Sequence, residues 1–347
     1  MKGKCHRAGF TLVELLVASA ITVVLAGIMI AIVAQVGRTW ARASGGLTAN
    51  QQAELALDQL ARDLQSAVLR RDGRVWLAVT VQPDQSGGGD IGGSLATWSS
   101  PVRKPGAAAP GSPDSSLDLA PSSGRLEDCR FGLAGVWLRL IADVPDRNDG
   151  ISGTSAPRAV AYQVVRHAVT PSAGATRTYS LFRSEVRPFA DDSPARERST
   201  FVVGHDLFAA AYNSAAGGGN LGDAGTIRRP RRDQLLANGV IDFGVRFYRP
   251  VPGTGQLVLL FPTSNTNRGF AATTDVQSLP PNPAVPAGAM SHGFPTVAEV
   301  FVRVLTAEGA RQIGALEQGQ LAGQTWWSVA RVHSVVMTRR VVLEAAP

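Results

Sequence analysis

The residue with the sharpest chemical meaning is a carboxylate placed where lipid would surround it. Glu14 stands near the head of GFTLVELLVASAITVVLAGIMIAIVAQVGR, and from Leu15 to Ala34 no further charge occurs. A carboxylate inside a membrane segment costs about 3 kcal/mol or more unless a cation meets it, so such a residue points to a partner. Snorkelling toward the nearby headgroups is the competing reading for so shallow a position. Three other polar groupings compete with it. Arg228, Arg229, Arg231 and Arg232 flank Pro230 in a dense positive run suited to phosphate contact, but no aromatic residue is interleaved to stack bases, which favours a solvated loop. In DVPDRNDG (143–150), Asp146, Asn148 and Asp149 offer the oxygens a Ca²⁺ ion prefers, yet Arg147 takes a ligand's place and no glutamate closes the loop, so a plain turn is expected. His205-Asp206 pairs two metal-ligating side chains without partner histidines at helical spacing. With no GxSxG, HExxH or glycine-rich phosphate loop, the chain is not expected to be an enzyme, to hold a metal or to need a cofactor.

The element that positions Glu14 is the apolar run itself. Twenty uncharged residues at 1.5 Å rise span about 30 Å, the thickness of the hydrocarbon layer. Lys2, Lys4 and Arg7 precede it, with His6 among them, and the positive-inside tendency leaves that end in the cytoplasm. A cleavable secretory signal also has a basic start, but its small-residue cleavage site should follow the apolar run, where QVGRTWARAS stands instead. Here glycine, phenylalanine, threonine, leucine and glutamate (Gly9, Phe10, Thr11, Leu12, Glu14) come before it.

That order resembles the type IV prepilin signal, in which a membrane-embedded peptidase cuts after the glycine and methylates the new N-terminal amine. The resemblance implies that residues 1–9 are a leader ending at Gly9, that Phe10 becomes the methylated N-terminus, and that Glu14 pairs with the Phe10 amine of an adjacent subunit. It implies as partners the prepilin peptidase, other pilin or pseudopilin subunits, an inner-membrane assembly platform and the lipid bilayer. Loss of Lys2, Lys4 and Arg7 would leave 31 of the 34 basic residues against 27 acidic, lowering the net charge from +7 to +4. Cys5 would leave with the leader, making Cys129 a lone thiol beside Phe131, expected as a small buried hydrophobe.

Residues 10–36 read as the transmembrane, filament-core helix and 37–72 as its amphipathic continuation, since Ala53, Leu57, Leu60, Leu64 and Val68 step along one helical face. Glu54, Asp58, Arg62, Asp63 and Gln65 supply polar positions between them, with Asp58 and Arg62 spaced for an ion pair. Ser44-Gly45-Gly46 is the expected kink, or a break into two helices. From 73 to 347 the period changes to two. Strands are expected at 75–81, 135–144, 159–165, 178–186, 240–248, 257–261, 297–305 and 335–343, one short helix at AEGARQIGALE, and a half-buried Trp326-Trp327 pair at a strand start.

The fold class is therefore α+β: a long N-terminal helix packed on a β-rich, pilin-like globular domain, with long insertions near 83–124, 213–233 and 262–295. The order of AVAYQVV, YSLFRSEV, LLANGVIDFGVRFY and the 297–305 strand resembles J-type pseudopilins of type II secretion and large minor pilins. This implies a structural minor subunit of a pilus or pseudopilus, single-pass in a bacterial inner membrane with its C-terminal domain periplasmic. The competing functions are a DNA-uptake minor pilin using the arginine loop, and a membrane-anchored periplasmic enzyme or binding protein.

Overall fold

A computed structural model describes residues 11–72, 75–81, 117–132, 135–143, 157–168, 177–186, 188–189, 201–202, 234–274, 290–321 and 323–343. The chain divides into two compact units, 1–47 and 48–347. The described part of the first is helical almost throughout, and the second contains every strand among the described residues.

Helix α1 runs from Leu12 to Gln65. It passes Ser44, Gly45 and Gly46 without a break in its hydrogen-bonded ladder, so the two-helix expectation does not hold. Each glycine costs about 1 kcal/mol relative to alanine, but a nucleated helix loses one bond at a time, and the strong helix formers on either side outweigh a pair. The helix ends where Ser66 Oγ donates to the Asp63 carbonyl (3.2 Å) and Ala67 turns into a bridge with Ala142.

In the 48–347 unit two main sheets and one two-stranded pairing form among the described residues. The first has the order β11-β10-β1-β2-β3-β4-β7, made by β1 (Leu77–Val81), β2 (Val136–Asp143), β3 (Pro157–Ala168), β4 (Arg177–Val186), β7 (Leu235–Asn238), β10 (Gly269–Ala271) and β11 (Met290–His292). The second has the order β13-β12-β8-β9, made by β8 (Val240–Pro250), β9 (Leu257–Phe261), β12 (Val297–Leu305) and β13 (Ser334–Val342). A two-residue pairing joins β5 (Pro188–Phe189) to β6 (Phe201–Val202). All eight expected strands are present, and α2 (Ala307–Glu317) occupies the expected helix, capped by Thr306 Oγ1 accepting from Gly309 N. Four-residue or shorter strands such as β7, β10 and β11 carry too little alternation to be read from sequence; two of them lie inside the expected 262–295 insertion.

Trp326-Trp327 corrects the sequence reading. The pair opens a helix, α3 (Trp326–Val332), and both rings are buried. The signal was Thr325 and Ser328 at capping-box spacing: Thr325 Oγ1 accepts from Ser328 N (3.2 Å) and Ser328 Oγ accepts from Thr325 N (3.0 Å).

One apolar core unites the helical segment after Thr48 with both sheets. Ala49, Ala53, Ala56, Leu57, Leu60 and Leu64 pack into the same cluster as Leu140, Val160, Phe243, Val300 and Val302. A shorter stretch, 117–131 with a 3-10 turn at Leu126–Asp128, covers one face of β8 and β12, the turn also lying against β13. Its Phe131 ring leaves no room for a side chain at Gly244.

Candidate functional site

The N-terminal site is built by the first turn of α1. Thr11 caps it: Glu14 N donates to Thr11 Oγ1 (3.3 Å), while Glu14 Oε2 accepts from Thr11 N (2.9 Å) and Thr11 Oγ1 (2.8 Å). The T-x-x-E capping box was legible in TLVE, and the sequence reading missed it by treating Glu14 only as a membrane charge. The box also satisfies helix N-terminal donors that lipid could not, which lowers the cost of having a carboxylate there. Among the described residues Oε1 accepts nothing, so one oxygen remains for a further donor. Gly9 and Phe10 lie outside the described residues.

Behind this cap Leu12–Gly37 forms a 26-residue helix long and apolar enough to cross a membrane, none of it buried within the chain. Its exposed side chains include Leu15, Val23, Met29, Ile30 and Val33. In water these large side chains would forfeit hydrophobic stabilisation all round the helix, the pattern of a segment made for lipid or for other helices.

Residues 4–30 match the family model described as the prokaryotic N-terminal methylation motif. The chain carries a type IV prepilin-like signal. This signal and the apolar helix support anchoring in a membrane, and the motif points to a structural, pilin-like subunit. No curated protein and no solved structure matches the chain.

Arg228, Arg229, Arg231, Arg232, His205, Asp206, Asp146, Asn148 and Asp149 all lie outside the described residues. No group of three or more His, Cys, Asp or Glu side chains able to hold a metal occurs among the described residues. Asp58 does not pair with Arg62; its carboxylate meets Arg339 of β13 instead. A tertiary partner on the sheet beneath the helix outcompetes an exposed pair worth a few tenths of a kcal/mol.

Asp63 is the larger correction. Expected among the polar positions, it is buried, and its carboxylate joins the helix to the first sheet. Arg183 grips it side-on with one edge of its guanidinium, Nε to Oδ2 (2.6 Å) and Nη2 to Oδ1 (3.0 Å), Gln59 Nε2 donates to Oδ1 (3.2 Å), and the Tyr162 hydroxyl donates to Oδ2. Arg183 Nη1 continues to Glu185 (2.6 Å), which also pairs with Arg158. Burial pushes the Tyr162 hydroxyl well above its ordinary value, and the Asp63 charge adds to it, so it stays a donor. Burial alone would raise Glu185, but the hydrogen bonds from Arg183 and Arg158 hold it below the usual carboxylate range. The signal was present: Ala53, Ala56, Leu60, Asp63 and Ala67 step by 3, 4, 3 and 4, placing Asp63 on the buried stripe, where an acid requires partners.

A second buried polar group lies under 117–131. Arg246 donates to the Gly124 carbonyl (2.6 Å) and to Cys129 Sγ (3.1 Å), Arg303 to the Glu127 carbonyl (2.8 Å), and Phe131 N to Asp242 Oδ2 (3.2 Å). Cys129 is fully buried, as its sequence reading expected. Burial pushes its thiol up to about 11 against the opposing charge of Arg246, so almost no thiolate exists near neutrality.

Proposed function

We propose that the chain is a structural minor subunit of a type IV pilus or a type II secretion pseudopilus, released for assembly by cleavage between Gly9 and Phe10. The observation that carries this reading is the methylation motif at 4–30 leading directly into an exposed, membrane-length helix. Cleavage there would free an ammonium at Phe10. Oε1 of Glu14, which no described residue meets, is then suited to accept from the Phe10 amine of a neighbouring subunit, a charge pair that a lipid-like surrounding strengthens. The basic residues Lys2, Lys4 and Arg7 favour a cytoplasmic N-terminus, with the globular unit in the periplasm.

The size of the chain supports a minor position. A globular unit of 48–347 is bulky for a subunit that must repeat at close helical spacing, whereas a tip or initiation complex meets no such limit. The strand and helix order read from the sequence resembles that of the J-type pseudopilins and large minor pilins, which favours the same reading.

N-terminal mass spectrometry of the protein from cells with and without prepilin peptidase tests the reading. A mature chain starting at methylated Phe10 only in the peptidase-containing cells is expected, and an intact Met1 in both refutes it. Glu14→Ala should leave cleavage intact and reduce incorporation into filaments; unchanged incorporation would remove the pairing.

A further inference from the structure

The two main sheets present four edges among the described residues, and they are not alike. The first sheet ends in β11 and β7, of three and four residues, and the second ends on one side in β9, of five. Very short edge strands are a common protection against unwanted strand pairing. The remaining edge is β13, nine residues long, with the sequence SVVMTRRVV and no proline. Its ladder with β12 runs from Ser334↔Leu305 to Val342↔Val297 with no shift of register, whereas the β4–β7, β8–β9 and β8–β12 ladders each contain one. It therefore lacks the bulge that would twist an edge away.

The direction of its free groups follows from the ends of that ladder. Leu343 N donates to the Thr296 carbonyl (2.9 Å), and the His333 carbonyl accepts from Thr306 N (2.9 Å). Odd-numbered residues thus bond to β12, and the N–H and C=O of Ser334, Val336, Thr338, Arg340 and Val342 point outward, where no described residue meets them. The two arginines that might guard this edge are already engaged: Arg339 with Asp58 and Arg340 with Glu299 at 3.8 Å.

We propose that β13 is an assembly edge whose occupant is the β13 strand of a second copy of this chain, paired antiparallel about Thr338. The strand is self-complementary in that one register. Thr338 faces Thr338, a favourable hydroxyl pair; Val336 faces Arg340, and Ser334 faces Val342. No arginine stands opposite an arginine: the two Arg340 residues lie about 13 Å apart along the ribbon. All the outward groups are used at once, giving about ten backbone hydrogen bonds, and the exposed Val342 side chain gains a cross-strand neighbour. A two-strand contact is small for a stable dimer in dilute solution. Anchoring both copies in one membrane, which rests on the apolar helix and not on the pilus reading, raises their effective concentration enough to populate it.

The register makes the test specific. Full-length chain carrying Cys5→Ser is expressed in its membrane with single cysteines on β13. A disulfide-linked dimer is expected from Thr338→Cys alone and from Val336→Cys co-expressed with Arg340→Cys, with several-fold less from Arg340→Cys alone. Equal cross-linking at all positions, none at Thr338→Cys, or a product whose mass is not twice the chain overturns the proposal. Thr338→Pro removes an outward N–H and spares the β12 ladder, and Thr338→Lys opposes two like charges; both should abolish the Val336–Arg340 cross-link while the thermal midpoint moves by only a few degrees. Survival of the cross-link in either folded variant refutes the pairing.

Discussion

Replacing Asp63 by alanine should be among the most damaging changes available in the globular unit. The substitution removes the acceptor of Arg183 and Tyr162 and leaves a guanidinium whose side chain is only 14% exposed. Breaking a buried pair by deleting one partner costs about 3–5 kcal/mol, because the surviving charge stays desolvated. Glu185 still holds one Arg183 nitrogen, at 2.6 Å, which places the loss at the lower end, about 3 kcal/mol. For a unit of this size that corresponds to a fall of roughly 6–10 °C in midpoint. Near-ultraviolet circular dichroism of the full chain in mild detergent, followed through heating and through urea, reads this unit through its buried Trp137, Trp326 and Tyr162. The double variant Asp63→Ala/Arg183→Met supplies the control. With no orphan charge left, it should be no less stable than Asp63→Ala, giving a coupling of at least about 1.5 kcal/mol. A loss under about 1 kcal/mol for the single variant, or additivity within about 0.5 kcal/mol, would show that the carboxylate does not hold the helix to the sheet.

Three further outcomes follow from the second buried group and its cover. Burial pushes Asp242 up to about 8, against the opposing charges of Arg303 and Arg130 and the N–H groups of Phe131 and Phe243. The folded chain then keeps a proton that the unfolded chain releases near 3.8, so stability contributed by this group falls as pH rises from about 4 to about 8. Asp242→Asn should flatten the dependence, by a slope approaching about 1.4 kcal/mol per pH unit; parallel stability curves for the two proteins from pH 5 to 8 would contradict it. Gly244→Ala sets a methyl group against the Phe131 ring and 2.5 Å from Phe301 Cε1, and overpacking of this kind costs about 1–3 kcal/mol, measured by urea unfolding; a neutral result would mean 117–131 does not cover β8 as described. Cys129 should react with a maleimide at pH 7.5 only after denaturation, and rapid labelling of the native chain, read by mass, would be inconsistent with its burial.

Some of this molecule was written locally. The membrane-length run, the Gly9–Phe10–Glu14 order, the eight longer strands and the AEGARQIGALE helix each lie within a window of some ten to thirty residues, and period, length and motif are properties of a window. Two local signals were there to be read and were not: the T-x-x-E box that lets Thr11 hold Glu14, and the Thr325/Ser328 box that makes a helix of the tryptophan pair. The remainder was decided by tertiary structure. Asp58 finds Arg339 rather than Arg62, Asp63 finds Tyr162 and Arg183 of the first sheet, and Arg246 and Arg303 find carbonyls of 117–131. The physical reason is that a polar side chain is indifferent to sequence distance and sensitive to solvation. Which group pairs with which is settled only when the sheets bring their partners out of water together, and the same closure determines that β13 is an edge strand among the described residues.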